Sequence, residues 1–239
     1  MTRATTTIVL AAALLLAGCG EPKTAQLPPG ATPPSGPVVR ILPLGDSITD
    51  GRKVPGAYRI ELWKLLRSAG VRVDFVGSKQ SGPGSLPDRD HEGHSGYRID
   101  QIDADVTRWV NATDPRIVLV HLGTNDVLQD YQTADAAARM SRLLDHIIVA
   151  APDADVFVGS LLPLEGAARE AAGTAYSGQL SAVVAAKGPK VHFVDMHSAL
   201  TLRDLDDGIH PTAGGFVKMA DAWAKAVLPV LRGPSAAAT

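Results

Sequence analysis

Five short apolar runs, each followed by a segment with helical spacing, constrain this chain more than any other feature. The runs are Val38 to Leu44, Val71 to Val76, Ile117 to Leu122, Val156 to Val158 and Val191 to Val194. They are nearly continuous rather than alternating, as strands read when a sheet is covered on both faces. Apolar residues recur at helical intervals over Tyr58 to Ser68, Ile99 to Val110, Thr133 to Ala150, Ala167 to Ala186 and Ala213 to Leu231. Strand and helix in strict alternation predict a three-layer α/β/α domain around a mainly parallel five-stranded sheet with right-handed crossovers. A chain of 239 residues with 45% hydrophobic content supports one sizeable core. The domain is expected over residues 38–232, with 233–239 as a flexible tail.

The N-terminus departs from this pattern. Arg3 precedes an apolar run from Ile8 to Ala17 that is too short to span a bilayer, so residues 1–19 read as a signal peptide. Leu16, Ala17, Gly18 and Cys19 resemble the lipobox of bacterial lipoproteins, in which the cysteine is lipidated and becomes the first mature residue. The alternative is an ordinary secretory signal whose cysteine is discarded. Both readings predict export. Cys19 is the only cysteine, so no internal disulfide can form. From 20 to 37 the chain carries Pro22, Pro28, Pro29, Pro33, Pro34 and Pro37 and few large apolar residues. It reads as a tether, which if extended at about 3.1 Å per residue would hold the domain up to roughly 50 Å from its anchor. The net charge of -2 and the scattered Lys and Arg argue against nucleic acid. Membrane contact is expected only through Cys19, and the working form is expected to be a monomer.

In a parallel sheet the reactive groups belong beyond the carboxyl ends of the strands. The first run is followed by Gly45, Asp46, Ser47, Ile48, Thr49, Asp50 and Gly51, the third by Gly123, Thr124, Asn125 and Asp126. The loop before the last helical segment holds Asp207, Gly208, Ile209, His210 and Pro211. A serine hydroxyl needs a base to take its proton, and the base needs a carboxylate to hold its tautomer. Ser47, His210 and Asp207 supply these groups, with Asp204 and Asp206 as rival carboxylates. Acyl transfer also needs donors for the developing oxyanion. The Asn125 amide and the backbone N–H groups of Gly96 and Ser47 are suited to that. The Gly-x-Ser-x-Gly elbow of α/β-hydrolases is absent around Ser47.

The blocks around Ser47, Gly96, Asn125 and His210, taken in order, resemble the four signature blocks of the SGNH (GDSL) hydrolase family. The resemblance implies a flavodoxin-like fold and no metal or organic cofactor. It also implies Ser47 as nucleophile, His210 as base, Asp207 as its orienter, and Ser47, Gly96 and Asn125 as the oxyanion hole. A narrower likeness lies in Ile41 to Ser47, Gly56 to Arg59, Phe75 to Ser78 and Asp90 to Gly96. These stretches together resemble carbohydrate esterase family 3, whose members are acetylxylan esterases. That likeness implies hydrolysis of small acyl groups, O-acetyl above all, on an acylated carbohydrate. Alternatives are a lysophospholipase, thioesterase or general carboxylesterase of the same superfamily, and a carbohydrate-binding lipoprotein without catalysis. Two positions depart from the pattern: the family often has glycine where Ala57 stands and Trp where Tyr97 stands.

Tyr97 and Asp46 are the expected substrate-side residues, with Asp46 and Asp126 also supporting the loops of Ser47 and Asn125. Asp88, Asp90, His91, Glu92 and His94 have metal-ligand chemistry, but the resemblance makes them scaffolding for the Gly96 loop, and no metal is expected. His121 reads as a hydrogen-bonded core histidine and His197 as a distant rival to His210. Trp63, Trp109 and Trp223 fall at apolar helix positions and are expected in the core.

Overall fold

The computed structural model describes residues 36–232. The expected signal segment, Cys19, the tether up to residue 35 and the expected tail lie outside the described residues. The five apolar runs become β1 (Val38–Gly45), β2 (Arg72–Phe75), β5 (Ile117–His121), β6 (Asp155–Gly159) and β7 (Val191–Val194). They pair in parallel in the order β2-β1-β5-β6-β7, the flavodoxin-like order. Two short strands, β3 (Lys79–Gln80) and β4 (Asp90–Gly93), bring the sheet to seven among the described residues, against the five expected. β3 and β4 pair antiparallel, and β4 joins the tip of β1 through Leu44 and Gly45.

β1 therefore has two outer partners. Val38 to Ile41 pair with β2, and Leu44 and Gly45 with β4. Pro43 falls in the gap between them, where no outer ladder pair exists. That gap explains how a residue without an N–H sits in a central strand.

The continuous runs hide a period of two. Leu42, Leu44, Val118, Val120, Val156 and Val158 face one core, and Ile41, Ile117, Leu119 and Phe157 face the other. The first core is covered by α3 (Ile99–Asp103), α4 (Val106–Thr113), α6 (Ala136–Ala150) and α7 (Ala167–Ala185), the second by α2 (Arg59–Ser68) and α8 (Ala213–Arg232). Each fully buried aliphatic or aromatic side chain contributes roughly 1.5–3 kcal/mol. A one-residue slip of any central strand would exchange the two cores. The helix expected over Ile99 to Val110 is two helices, broken at Ala104 and Asp105. Trp109 and Trp223 are buried, while Trp63 is half-buried against Phe75 at 5.9 Å between ring centres.

Two one-turn helices follow the central strands directly: α1 (Ser47–Asp50) after β1 and α5 (Thr124–Leu128) after β5. β1 and β5 are also the neighbours from which the chain departs in opposite directions. That switch point is where open parallel sheets bind ligands.

Candidate active site

Ser47 is the first residue of α1. The Asp46 carboxylate caps that helix by accepting the Ile48 N–H at 2.9 Å, and Gly51 ends it with φ of 83°. The hydroxyl of Ser47 lies 2.8 Å from Nε2 of His210. His210 arrives on a loop closed by a bridge between Leu205 and Pro211 and by the Asp206 N–H donating to the His210 carbonyl at 2.8 Å. Asp207 folds back inside this loop. Its carboxylate accepts the backbone N–H groups of Ile209 and His210 at 3.2 and 2.8 Å and faces the His210 Nδ1 at 2.9 and 3.1 Å.

An ionised carboxylate can only accept, so Nδ1 carries the imidazole proton and Nε2 is left to accept from the serine hydroxyl. Burial alone would raise the Asp207 carboxyl. Its hydrogen bonds and charge contact with His210, with the Ile209 N–H added, outweigh that and hold it at about 2. Asp207 therefore stays ionised through the range in which histidines titrate. The rival carboxylates face elsewhere. Asp206 pairs with Lys53 at 3.1 Å, and Asp204 pairs with Lys218 at 2.7 Å while capping Thr201. The Lys53 ammonium also lies 3.5 Å from Asp207.

The loop after β4 carries Gly96 with φ of 83°, a conformation that suits glycine. α5 presents Asn125, whose amide donates to the Tyr97 carbonyl at 2.9 Å and reaches Asp46 Oδ2 at 3.4 Å. One amide thus ties the Gly96 loop and the Ser47 turn to α5. The backbone N–H groups of Ser47 and Gly96 donate to no backbone carbonyl among the described residues. Gly123, at the start of α5 with φ of 115°, leaves room for the Tyr176 ring, which a Cβ there would meet at 2.5 Å. Tyr176 is fixed by its own hydrogen bond to the Leu122 carbonyl at 3.1 Å. Ala57, where the family often carries glycine, adopts φ of 48°.

Asp46 corrects one expectation. It is fully buried, bonded to Ile48 and close to Asn125, so it touches no substrate and braces the Ser47 turn. Burial pushes its carboxyl up to about 7, against the opposing pull of the Ile48 N–H. Tyr97 is 37% exposed, and its ring stacks on His94 at 5.0 Å, which stacks on Trp109 at 4.5 Å. Asp126 accepts from Arg139 at 2.7 Å and from the Ile99 N–H at 3.1 Å, tying α5 to α3 and α6.

Of the residues with metal-ligand chemistry, Glu92 and His94 pair with each other, and His91 and Asp88 bond to backbone N–H groups. Glu92, fully buried, accepts from the Ser78 N–H and hydroxyl at 2.7 Å and faces His94 Nε2 at 2.6 Å. His91 Nδ1 accepts the Gly93 N–H at 3.0 Å, and Asp88 accepts the Phe75 and Asp90 N–H groups. No group of three His, Cys, Asp or Glu suited to a metal ion occurs among the described residues. His197 pairs with Glu170 at 2.6 Å. His121 is buried as expected, but neither ring nitrogen has a hydrogen-bond partner, and burial lowers its pKa to about 4, so it stays neutral. Gln129 and Arg98 escaped the sequence reading. Gln129 donates to the Gly96 carbonyl at 3.0 Å and accepts from Arg98 at 2.7 Å.

A hydrogen-bonded serine, histidine and aspartate at the switch point of a doubly wound sheet define the class of the serine hydrolases. The particular family follows from comparison: residues 44–216 match the GDSL-like lipase/acylhydrolase family, and the chain belongs to it. Among solved structures it is similar to a family 3 carbohydrate esterase of Clostridium thermocellum, at 36% identity and a TM-score of 0.75, covering 82% of this chain and 98% of that one. A carbohydrate esterase of the same family from Talaromyces cellulolyticus is similar at 31% identity and a TM-score of 0.69, covering 81% and 98%. A multidomain esterase of Ruminococcus flavefaciens is 30% identical over 214 residues, 77% of this chain. The chain spans only 28% of that protein's length.

Proposed function

We propose that this chain is an exported serine esterase that removes small acyl groups, chiefly O-acetyl, from carbohydrate. The observation that carries the reading is the line of contacts from Ser47 Oγ through His210 to Asp207, at 2.8 and 2.9 Å. The Asn125 amide is tied to both flanking loops beside it. Ser47 Oγ attacks the ester carbonyl carbon while His210 Nε2 takes its proton, and Asp207 stabilises the imidazolium. The carbonyl oxygen gains negative charge and is met by the N–H groups of Ser47 and Gly96 and by the Asn125 amide. An approaching oxyanion displaces the longer Asn125 contact, the one to Asp46 at 3.4 Å. His210 then protonates the departing sugar oxygen as its bond to the acyl carbon breaks, which releases the free hydroxyl and leaves the acyl group on Ser47. Water, activated by the same histidine, attacks the acyl-serine and releases acetate.

The substrate class rests on the carbohydrate esterases to which the chain is similar and on the exposed Tyr97 ring beside Gly96. Tyr97 presents a face against which a sugar ring can pack. Its backing by His94 and Trp109 makes that face rigid. Anchoring through a lipidated Cys19 at the head of the proline-rich tether would suit an insoluble polymer. Acetate release from acetylated xylan, compared with hydrolysis of aryl esters of increasing chain length, tests the reading. Acetyl esters should be preferred, and a preference for long acyl chains would favour the lysophospholipase or thioesterase alternative instead.

A further inference from the structure

We infer that Gln129 is a positioning residue for the oxyanion hole, held in its working orientation by Arg98. The inference rests on the esterase reading above and extends it to a side chain outside the four blocks. Asn125 is the second residue of α5 and Gln129 is its C-cap, four residues further on, so they share a face. They grip consecutive carbonyls of the same loop. The Gln129 amide donates to the Gly96 carbonyl at 3.0 Å, and the Asn125 amide donates to the Tyr97 carbonyl at 2.9 Å.

Packing does not hold Gly96. It is exposed, and a Cβ built on it meets no atom within 4 Å. Glycine is also the residue whose backbone has most freedom to change conformation. The Tyr97 N–H, in the same peptide unit as the Gly96 carbonyl, donates to the His94 carbonyl at 3.1 Å, and the Ser95 hydroxyl donates to Asp50 at 2.7 Å. Among the described residues, Gln129 is the one that takes the carbonyl of Gly96 itself. Together with the Tyr97 N–H bond it holds the peptide on the C-terminal side of Gly96, and so limits how far the preceding peptide, which carries the offered Gly96 N–H, can turn.

The Gln129 amide needs its own orientation. Arg98 Nη1 donates to its oxygen at 2.7 Å, which leaves the NH2 end for Gly96. Arg98 is fixed in turn by a forked contact with Asp100 at 2.9 and 3.0 Å and by stacking 4.0 Å over the Tyr131 ring. Gln129 is exposed, so its loss should leave the fold intact.

The test compares wild type, Gln129→Ala and Gln129→Glu in acetyl-ester turnover, in the rate of Ser47 labelling by a fluorophosphonate, and in thermal unfolding. Gln129→Ala should lower kcat about tenfold with KM within about twofold, since the bond serves the transition state rather than substrate binding. Labelling should slow in parallel, and the melting temperature should hold. Gln129→Glu still accepts from Arg98 but cannot donate to Gly96, so it should be impaired at least as much. A Gln129→Ala kcat within about twofold of wild type, a change confined to KM, or full activity in Gln129→Glu would overturn the inference. A wild-type protein that neither turns over nor labels would overturn the esterase reading instead, which keeps the two failures apart.

Discussion

Asn125→Ala separates an oxyanion donor from a loop brace. In the folded protein the amide makes one good hydrogen bond, to the Tyr97 carbonyl at 2.9 Å, and one long contact, to Asp46 at 3.4 Å. Removing a neutral hydrogen bond of this kind costs about 1 kcal/mol of stability, which for a domain of this size lowers the melting temperature by about 2–4 °C. Tyr97 is exposed, so its freed carbonyl can turn to water, and the loss should not exceed that estimate. An oxyanion donor contributes far more to the reaction, about 2.7–4 kcal/mol, or 10²-fold to 10³-fold in kcat. Kinetics on an aryl acetate and a thermal melt on the same preparation therefore read two different quantities. The expected result is a kcat loss of at least about 100-fold, little change in KM and a small shift in melting. A kcat loss below about tenfold in a well-folded variant would remove Asn125 from the hole and leave it as a brace.

Asp207→Asn should lower kcat by about 10³-fold to 10⁴-fold because it disrupts the histidine tautomer, whereas Asp206→Asn, which faces Lys53, should stay near wild type. Equal losses in the two kinetic assays would mean that Asp207 has no special claim on His210. Asp46 should make stability depend on pH. Its carboxyl rises from 3.8 to about 7 on folding, so the native state holds the extra proton between those values and stability falls as pH rises through them. The slope should reach about 1.4 kcal/mol per pH unit at most and should flatten in Asp46→Asn, as denaturant unfolding across this window would show. Gly123→Ala should destabilise the fold by about 1–3 kcal/mol, because its Cβ would lie 2.5 Å from the Tyr176 ring. A double variant with Tyr176→Ala should lose much of that coupling, measured by the same unfolding curves.

The central strands β1, β5 and β6 are legible because they are covered on both faces, so burial writes itself into nearly continuous apolar runs such as Ile117 to Leu122, while the four-residue outer strands β2 and β7 are only partly buried. β4 leaves no such trace. It reads Asp, His, Glu, Gly and is a strand only because the tip of β1 extends past β2 and needs a partner. One-turn helices such as α1 and α5 are too short for a period to show, although they orient Ser47 and Asn125. At the site, strand-end position singles out Ser47, Asn125 and the His210 loop. Sequence spacing cannot choose among Asp204, Asp206 and Asp207. That choice depends on the Leu205–Pro211 bridge and on where Lys53 and Lys218 lie, which are long-range facts. Asp46 illustrates the opposite error: a carboxylate beside a candidate nucleophile looks available to substrate, but helix capping turns it inward. Gln129 was hidden because an exposed glutamine carries no sequence signal beyond its spacing from Asn125.

The central claim is that Ser47 forms the covalent acyl intermediate. Mass spectrometry after fluorophosphonate treatment of the folded protein tests it most directly, with acetyl-ester turnover followed in parallel. One adduct should map to Ser47, labelling should slow in the presence of acetylated substrate, and Ser47→Ala should neither label nor turn over. An adduct on another residue, or turnover that persists in Ser47→Ala, would contradict the account.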